Sequence, residues 1–192
     1  MTPAVAEWPR KTRELHNHHF DSTVWNGFPF RDDDIVIATY AKAGTTWTQQ
    51  IIAQLLFVDA DTLPVVDMSP WLDLRVPPNE VKLDALAAQA HRRFVKTHLP
   101  VDALVYSPLA KYIYDARDGR DVVWSMYNHH ANANALWYQL LNDTPGWVGP
   151  PIEKPPHRSG NISSIGSTAT AIRSGPFGRT SRRGRQSAIC RT

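Results

Sequence analysis

The chain has 192 residues, 42% hydrophobic and 10% aromatic, which is enough to bury one core. Its single cysteine, Cys190, excludes an intrachain disulfide and any cysteine-based metal cluster. The net charge of +3 hides a division: residues 1–156 carry 14 basic and 18 acidic side chains, a net −4, whereas residues 157–192 carry seven arginines and no acid, a net +7.

No apolar run is long enough to span a bilayer, and the first ten residues lack a signal-peptide core, so a cytoplasmic protein without membrane partners is expected. Residues 1–33 read as a polar lead-in. His16, His18 and His19 form an H-x-H-H cluster within it, expected to be flexible and solvated; no metal ligand is assigned. Residues 34–39 follow, and the apolar run Ile35-Val36-Ile37 suits a central parallel strand. Trp47, Ile51, Ile52, Leu55 and Leu56 then recur at helical spacing. A strand therefore runs through a loop with one glycine into an amphipathic helix. Gly44 permits a tight turn, and the free N–H groups of the first helical turn converge where Lys42, Thr45 and Thr46 stand, which makes a cradle for an anion. The order departs from G-x-x-x-x-G-K-[ST], because Lys42 precedes Gly44 and no glycine opens the loop; an ordinary nucleoside triphosphatase is disfavoured. On these residues alone, a plain turn with Thr45 as helix cap and Lys42 on the surface is an equal reading.

Residues 59–80 form a proline-rich connection that holds Ser69-Pro70-Trp71-Leu72. A helix is predicted over 79–91 and a strand over 94–97, with His98 just past its carboxyl end, the edge where open parallel sheets bind ligands. A third strand is predicted over 112–116, then Arg117 and a helix starting near Asp118. Residues 122–141 read as one long helical stretch in which His129 and His130 receive no chemistry. From His157 the chain turns to Ser, Gly and Arg with one aromatic, Phe177, a composition that cannot bury a core and is expected to be disordered.

Three segments occur in a telling order: Tyr40-Ala-Lys-Ala-Gly-Thr-Thr-Trp47, Phe94-Val-Lys-Thr-His-Leu-Pro100 and Tyr114-Asp-Ala-Arg-Asp-Gly-Arg-Asp-Val-Val-Trp-Ser125. Together they resemble the cytosolic-type sulfotransferases, which use 3′-phosphoadenosine-5′-phosphosulfate (PAPS) and carry Y-P-K-S-G-T-T-W, K-T-H-L-P and A-R-N-x-K-D-x-x-x-S. Departures are Ala41 for proline, Ala43 for serine, Asp118 for asparagine and Arg120 for lysine. The resemblance, over residues 20–150, implies an α/β fold with a P-loop kinase-like parallel sheet flanked by helices. It implies His98 as general base, with Lys42 and Lys96 as the other catalytic groups. Lys42, Ala43, Gly44, Thr45, Thr46 and Trp47 would hold the 5′-phosphate side of the donor, and Arg117 with Ser125 the 3′-phosphate. A guanidinium suits that last task because it grips phosphate bidentately. Trp47 is left between a place near the adenine and a place in the helix core, and Trp71 between the acceptor pocket and simple burial.

The implied activity is sulfuryl transfer from PAPS to a hydroxyl or amine of a small acceptor. An ATP-dependent phosphoryl-transfer enzyme and a nucleic-acid-binding protein led by the basic tail are the rival readings, and no nucleic-acid partner is expected. The family's R-K-G-x-x-G-D-W-K segment has no match, so residues 1–156 are expected to be the amino-terminal part of such a domain, incomplete at its C-terminus. Back-translation from His157 with GC-leaning codons, begun two nucleotides into the first codon, permits an aromatic-rich segment, one of several that codon choice allows. The tail at 157–192 is accordingly expected to be frameshifted and the chain inactive as it stands.

Overall fold

The computed structural model describes residues 9–146 and 148–155. The expectations for the tail, Phe177 and Cys190 included, lie outside the described residues. Three parallel strands make the sheet, in the order β2–β1–β3: β1 is Asp34–Thr39, β2 is Phe94–Thr97 and β3 is Ala110–Asp115. The register sets Ile37 beside Lys96 and Ile113, and Thr39 beside Asp115. All six residues of β1 are buried, as a central parallel strand requires.

Alternation along the strands divides the core in two. Ile35, Ile37 and Phe94 pack with Ile52 and Ala53 of α1 (Thr45–Leu56) and Val65 of α2 (Val65–Met68). Val36, Ala38 and Val95 face the other way, onto Trp25, Leu72, Leu99, Leu104 and Leu86 of α3 (Asn79–Ala88). Helices thus flank both faces, in the expected α/β arrangement. Asp34 and Arg93 close one end of the sheet as an ion pair with side chains only 1% and 2% exposed. Arg93 also donates to Pro29 O and lies 5.1 Å from the Phe28 ring centre.

Several expectations are corrected. Residues 20–28 of the lead-in are part of the core, since Phe20, Trp25 and Phe28 are buried and Asp21 caps a 3₁₀ turn over Ser22–Trp25. His18 is buried with its Nε2 at 2.9 Å from Asn142 Oδ1, whereas His16 stays exposed, as expected of the cluster, with its Nε2 3.0 Å from Gly146 O. α3 stops at Ala88, short of residue 91, because the Arg31 guanidinium takes the carbonyls of Ala87 and Gln89, both at 2.6 Å. The stretch 122–141 is two helices, α4 (Gly119–Asn132) and α5 (Ala135–Asp143). The Asn134 side chain accepts from Trp137 N at 2.9 Å and so caps α5 rather than continuing α4. β3 begins at Ala110, two residues earlier than predicted. On α1, Trp47, Ile51 and Leu55 are 78%, 55% and 74% exposed, so the helix buries itself through Ile52 and Ala53 instead. Among the described residues no helix is long and apolar enough to cross a membrane.

Candidate active site

The carboxyl ends of the three strands lie along one edge of the sheet, and each releases one of the predicted segments there. The loop after β1 turns sharply: Ala43 N donates to Tyr40 O at 2.9 Å, while Lys42 (φ 66°) and Gly44 (φ 118°) take left-handed backbone. Gly44 then starts α1, and the first bond of the helix runs from Thr48 N to Gly44 O. The N–H groups of Thr45, Thr46 and Trp47 precede any intrahelical acceptor and point out of the helix start. A lysine held in left-handed backbone is uncommon and costs strain, of a kind that clusters at ligand clamps. Thr45 is buried and its hydroxyl is hydrogen-bonded to that of Thr39, so its backbone is what it offers an anion; Thr46 is the exposed hydroxyl. Ala43 is half-buried. Trp47 stands 78% exposed, which removes the core reading.

At the end of β2, His98 is 7% exposed and its Nδ1 lies 2.7 Å from Thr39 O. A carbonyl can only accept, so Nδ1 carries the hydrogen and Nε2 keeps its lone pair. Burial, then the Lys96 and Lys42 charges and the nearby His19, push the imidazole down to about 3, against the bonding to Thr39. It is neutral at physiological pH. The Lys96 ammonium sits 5.0 Å over the Trp71 ring. Burial lowers its pKa, Asp73 opposes that and Lys42 adds to it. Lys96 is therefore not a solvated edge lysine, and Lys42, Lys96 and His98 lie within electrostatic reach of one another.

The structure does not bring Arg117 into that group. Its Nε lies 3.3 Å from Asp121 Oδ2, an exposed i,i+4 pair that joins the residue before the cap of α4 to its first turn and that a phosphate would have to displace. Asp118, the residue standing for asparagine, caps α4 by accepting from Arg120 N at 2.9 Å. Ser125 is half-buried on α4 and, among the described residues, its hydroxyl does not bond back to its own turn.

Sequence reasoning missed other members. Asp73 is buried and accepts from both Trp25 Nε1 (3.2 Å) and Trp71 Nε1 (3.0 Å). Thr48 donates to Asp115 Oδ2 at 2.7 Å, tying the cradle helix to β3. His19, His129 and His130 gather around Trp137, at 6.2, 5.6 and 5.3 Å between ring centres. Burial, reinforced by the neighbouring imidazoles and then by Arg75 for His19 and Lys42 for His130, pushes His19 down to about 3 and His130 to about 4. Among the described residues no group of three or more His, Cys, Asp or Glu could hold a metal ion.

The comparisons with known proteins bear on the same stretch of chain. Residues 32–155 match the family model for the sulfotransferase domain. A glycolipid sulfotransferase of Mycobacterium tuberculosis is 40% identical over 124 residues, which is 64% of this chain and 38% of that protein. Human sulfotransferase 2B1 is 36% identical over 114 residues, 55% of this chain and 30% of that one. A crystal structure of retinol dehydratase with retinol and PAP superposes with a TM-score of 0.46 at 28% identity, over 56% of this chain and 42% of that chain. The chain thus spans well under half the length of the curated relatives it matches. With the family model covering more than half of it, the chain belongs to the sulfotransferase family.

Proposed function

We propose that the chain carries the donor cradle and the general base of a site that moves a sulfuryl group from PAPS to a hydroxyl or amine of a small acceptor. The observation that carries this reading is the tie from His98 Nδ1 to Thr39 O, which leaves a neutral imidazole with Nε2 as proton acceptor beside two lysines. Nε2 takes the acceptor's proton as its oxygen or nitrogen bonds to sulfur. The bond from sulfur to the 5′-phosphate breaks and its electron pair stays on that phosphate. Lys42 neutralises the departing charge, Lys96 faces the sulfuryl oxygens, and the Thr45, Thr46 and Trp47 N–H groups hold the phosphate. The Trp47 ring is read as a face near the adenine. Arg117 and Ser125 are assigned the 3′-phosphate, Arg117 after release from Asp121. The mycobacterial relative's name makes a glycolipid one acceptor to try. Residues 1–156 are read as the part of the domain that supplies these groups, and 157–192 as a segment apart from it.

The test is calorimetry of 3′,5′-ADP against 5′-AMP on a frame-corrected, full-length form. Loss of a charge-assisted bidentate contact costs about 1.5–3 kcal/mol, roughly ten- to over a hundredfold in affinity. Equal affinities would remove the 3′-phosphate assignment and PAPS with it.

A further inference from the structure

The segment over residues 69–73 runs beside β2 without belonging to the sheet. Lys96 N donates to Pro70 O and Leu72 N to Lys96 O, both at 3.2 Å, so backbone bonds join this segment to the middle of the strand. Between those two bonds stands Trp71. Its ring meets the His98 ring edge-on, 4.5 Å between centres and 73° between planes, and carries the Lys96 ammonium at 5.0 Å. One side chain therefore touches both groups assigned to the chemistry.

What holds that ring is a buried carboxylate. Asp73 is 1% exposed; its Oδ2 accepts from Trp71 Nε1 and its Oδ1 from Trp25 Nε1. A buried carboxylate is costly without hydrogen bonds and a positive neighbour. Lys82, itself buried, spends its donors on the carbonyls of Leu72 and Leu74, which pins the loop from below while its charge faces Asp73. Lys96 is the second cation that Asp73 favours. At the far end, Gln49 of α1 donates to Ser69 O at 2.9 Å, so the loop is fixed to the cradle helix as well.

We propose that Trp71, held by Asp73, is the positioning residue that seats the Lys96 ammonium and fixes the plane of the His98 ring. The proposal rests on the roles given above to Lys96 and His98. A lysine on a four-carbon stem has many rotamers, and the aromatic face attracts its ammonium to one place. An imidazole tied only through Nδ1 can still swing about that bond; an indole against its edge stops it. The indole stays put because its own N–H is bonded to Asp73, an attachment no phenyl or aliphatic side chain can make.

The experiment is an NMR titration of the 192-residue chain labelled at lysine and histidine, following Lys96 Cε and His98 Cε1 against pH. Trp71→Leu is expected to raise the His98 protonation constant at least about tenfold, one pH unit, and to move the Lys96 midpoint with it. Trp71→Phe keeps a ring but loses the tie to Asp73, and shifts His98 by about threefold. Trp25→Phe removes the other indole from the same carboxylate and is expected to lower the urea midpoint without moving either titration. The proposal is overturned if Trp71→Leu leaves both titrations in place, or if Trp25→Phe moves them as far. Should Trp71→Leu not fold, Trp71→Phe decides, and an unmoved His98 overturns the proposal. No arm uses turnover or nucleotide, so a negative result leaves the PAPS reading standing, and a failed nucleotide test leaves this result standing.

Discussion

Gly44 gives the sharpest test of the cradle. Its backbone, at φ 118° and ψ 17°, lies where L-residues are rarely found, yet a Cβ built there meets nothing within 4 Å. Gly44→Ala is thus a pure backbone perturbation: no clash, no cavity, and a strain cost of about 1–3 kcal/mol. Gly119 supplies the matched control. It opens α4, has no positive φ and also faces open space, so Gly119→Ala should gain about 0.4–1 kcal/mol by restricting the unfolded chain. The two identical substitutions should differ by roughly 1.5–4 kcal/mol, which at a urea slope of about 1–3 kcal/mol per molar separates their midpoints by around 1 M. Tryptophan fluorescence in urea reads this directly. If the loop relaxes to spare alanine its strain, the N–H groups that follow must turn, and 3′,5′-ADP affinity falls instead. Coincident midpoints together with unaltered nucleotide affinity would refute the reasoning.

His98 and His19 are pushed down to about 3 and His130 to about 4, so the unfolded chain, with imidazoles near 6.5, binds protons that the folded chain refuses. The contribution of these three rings to stability should therefore be level above about pH 6.5, fall by up to about 1.4 kcal/mol per pH unit for each proton as pH drops, and flatten near 3. Asp73, whose burial raises its pKa, works the opposite way at the acid end. Urea midpoints that did not change between pH 7.5 and 5 would show that these rings are not buried neutral. Arg93→Ala strands Asp34 in the core and should cost about 3–5 kcal/mol; loss of less than 1 kcal/mol in thermal or urea unfolding would contradict the buried pair. In a frame-corrected version, His98→Ala should lower turnover by about 10²–10⁴-fold while leaving 3′,5′-ADP affinity near normal. The 192-residue chain should turn over little labelled PAPS beside a frame-corrected version, since a donor misplaced by about 1 Å loses roughly 10²-fold; equal turnover would refute the expectation that residues 157–192 are frameshifted.

The strands were legible because apolar runs between polar turns have few other uses, and the cradle because a strand, one glycine and a helix in that order leave little choice of geometry. Helix ends were not. The stop at Ala88 depends on Arg31, nearly sixty residues earlier, and the break before α5 on Asn134 acting as a cap where its neighbours favour helix. Phe20, Trp25 and Phe28 follow no helical or strand period, so their burial could not be read from spacing. Asp73 was invisible for a similar reason: its environment is made by Thr97 and by two indoles 46 residues apart, groups that meet only in the fold. Lys42, Lys96 and His98 converge as their order along the strand ends implies, whereas the tilt of Arg117 toward Asp121 is a local competition that a motif does not encode.

Thr39 is the last residue of β1, and it holds two things at once: its carbonyl carries His98 and its hydroxyl carries Thr45. The distance from base to cradle is consequently measured across one pair of strands, about 4.8 Å of backbone spacing, and not along flexible side chains. Such a ruler hardly responds to what surrounds it. The rings of His19, His129, His130 and Trp137, which come from the lead-in, α4 and α5, can be exchanged residue by residue while proton acceptor and anion clamp keep their separation. Thr39→Val, which deletes the hydroxyl and spares the carbonyl, separates the two attachments: the helix start should loosen and the His98 titration should stay where it was.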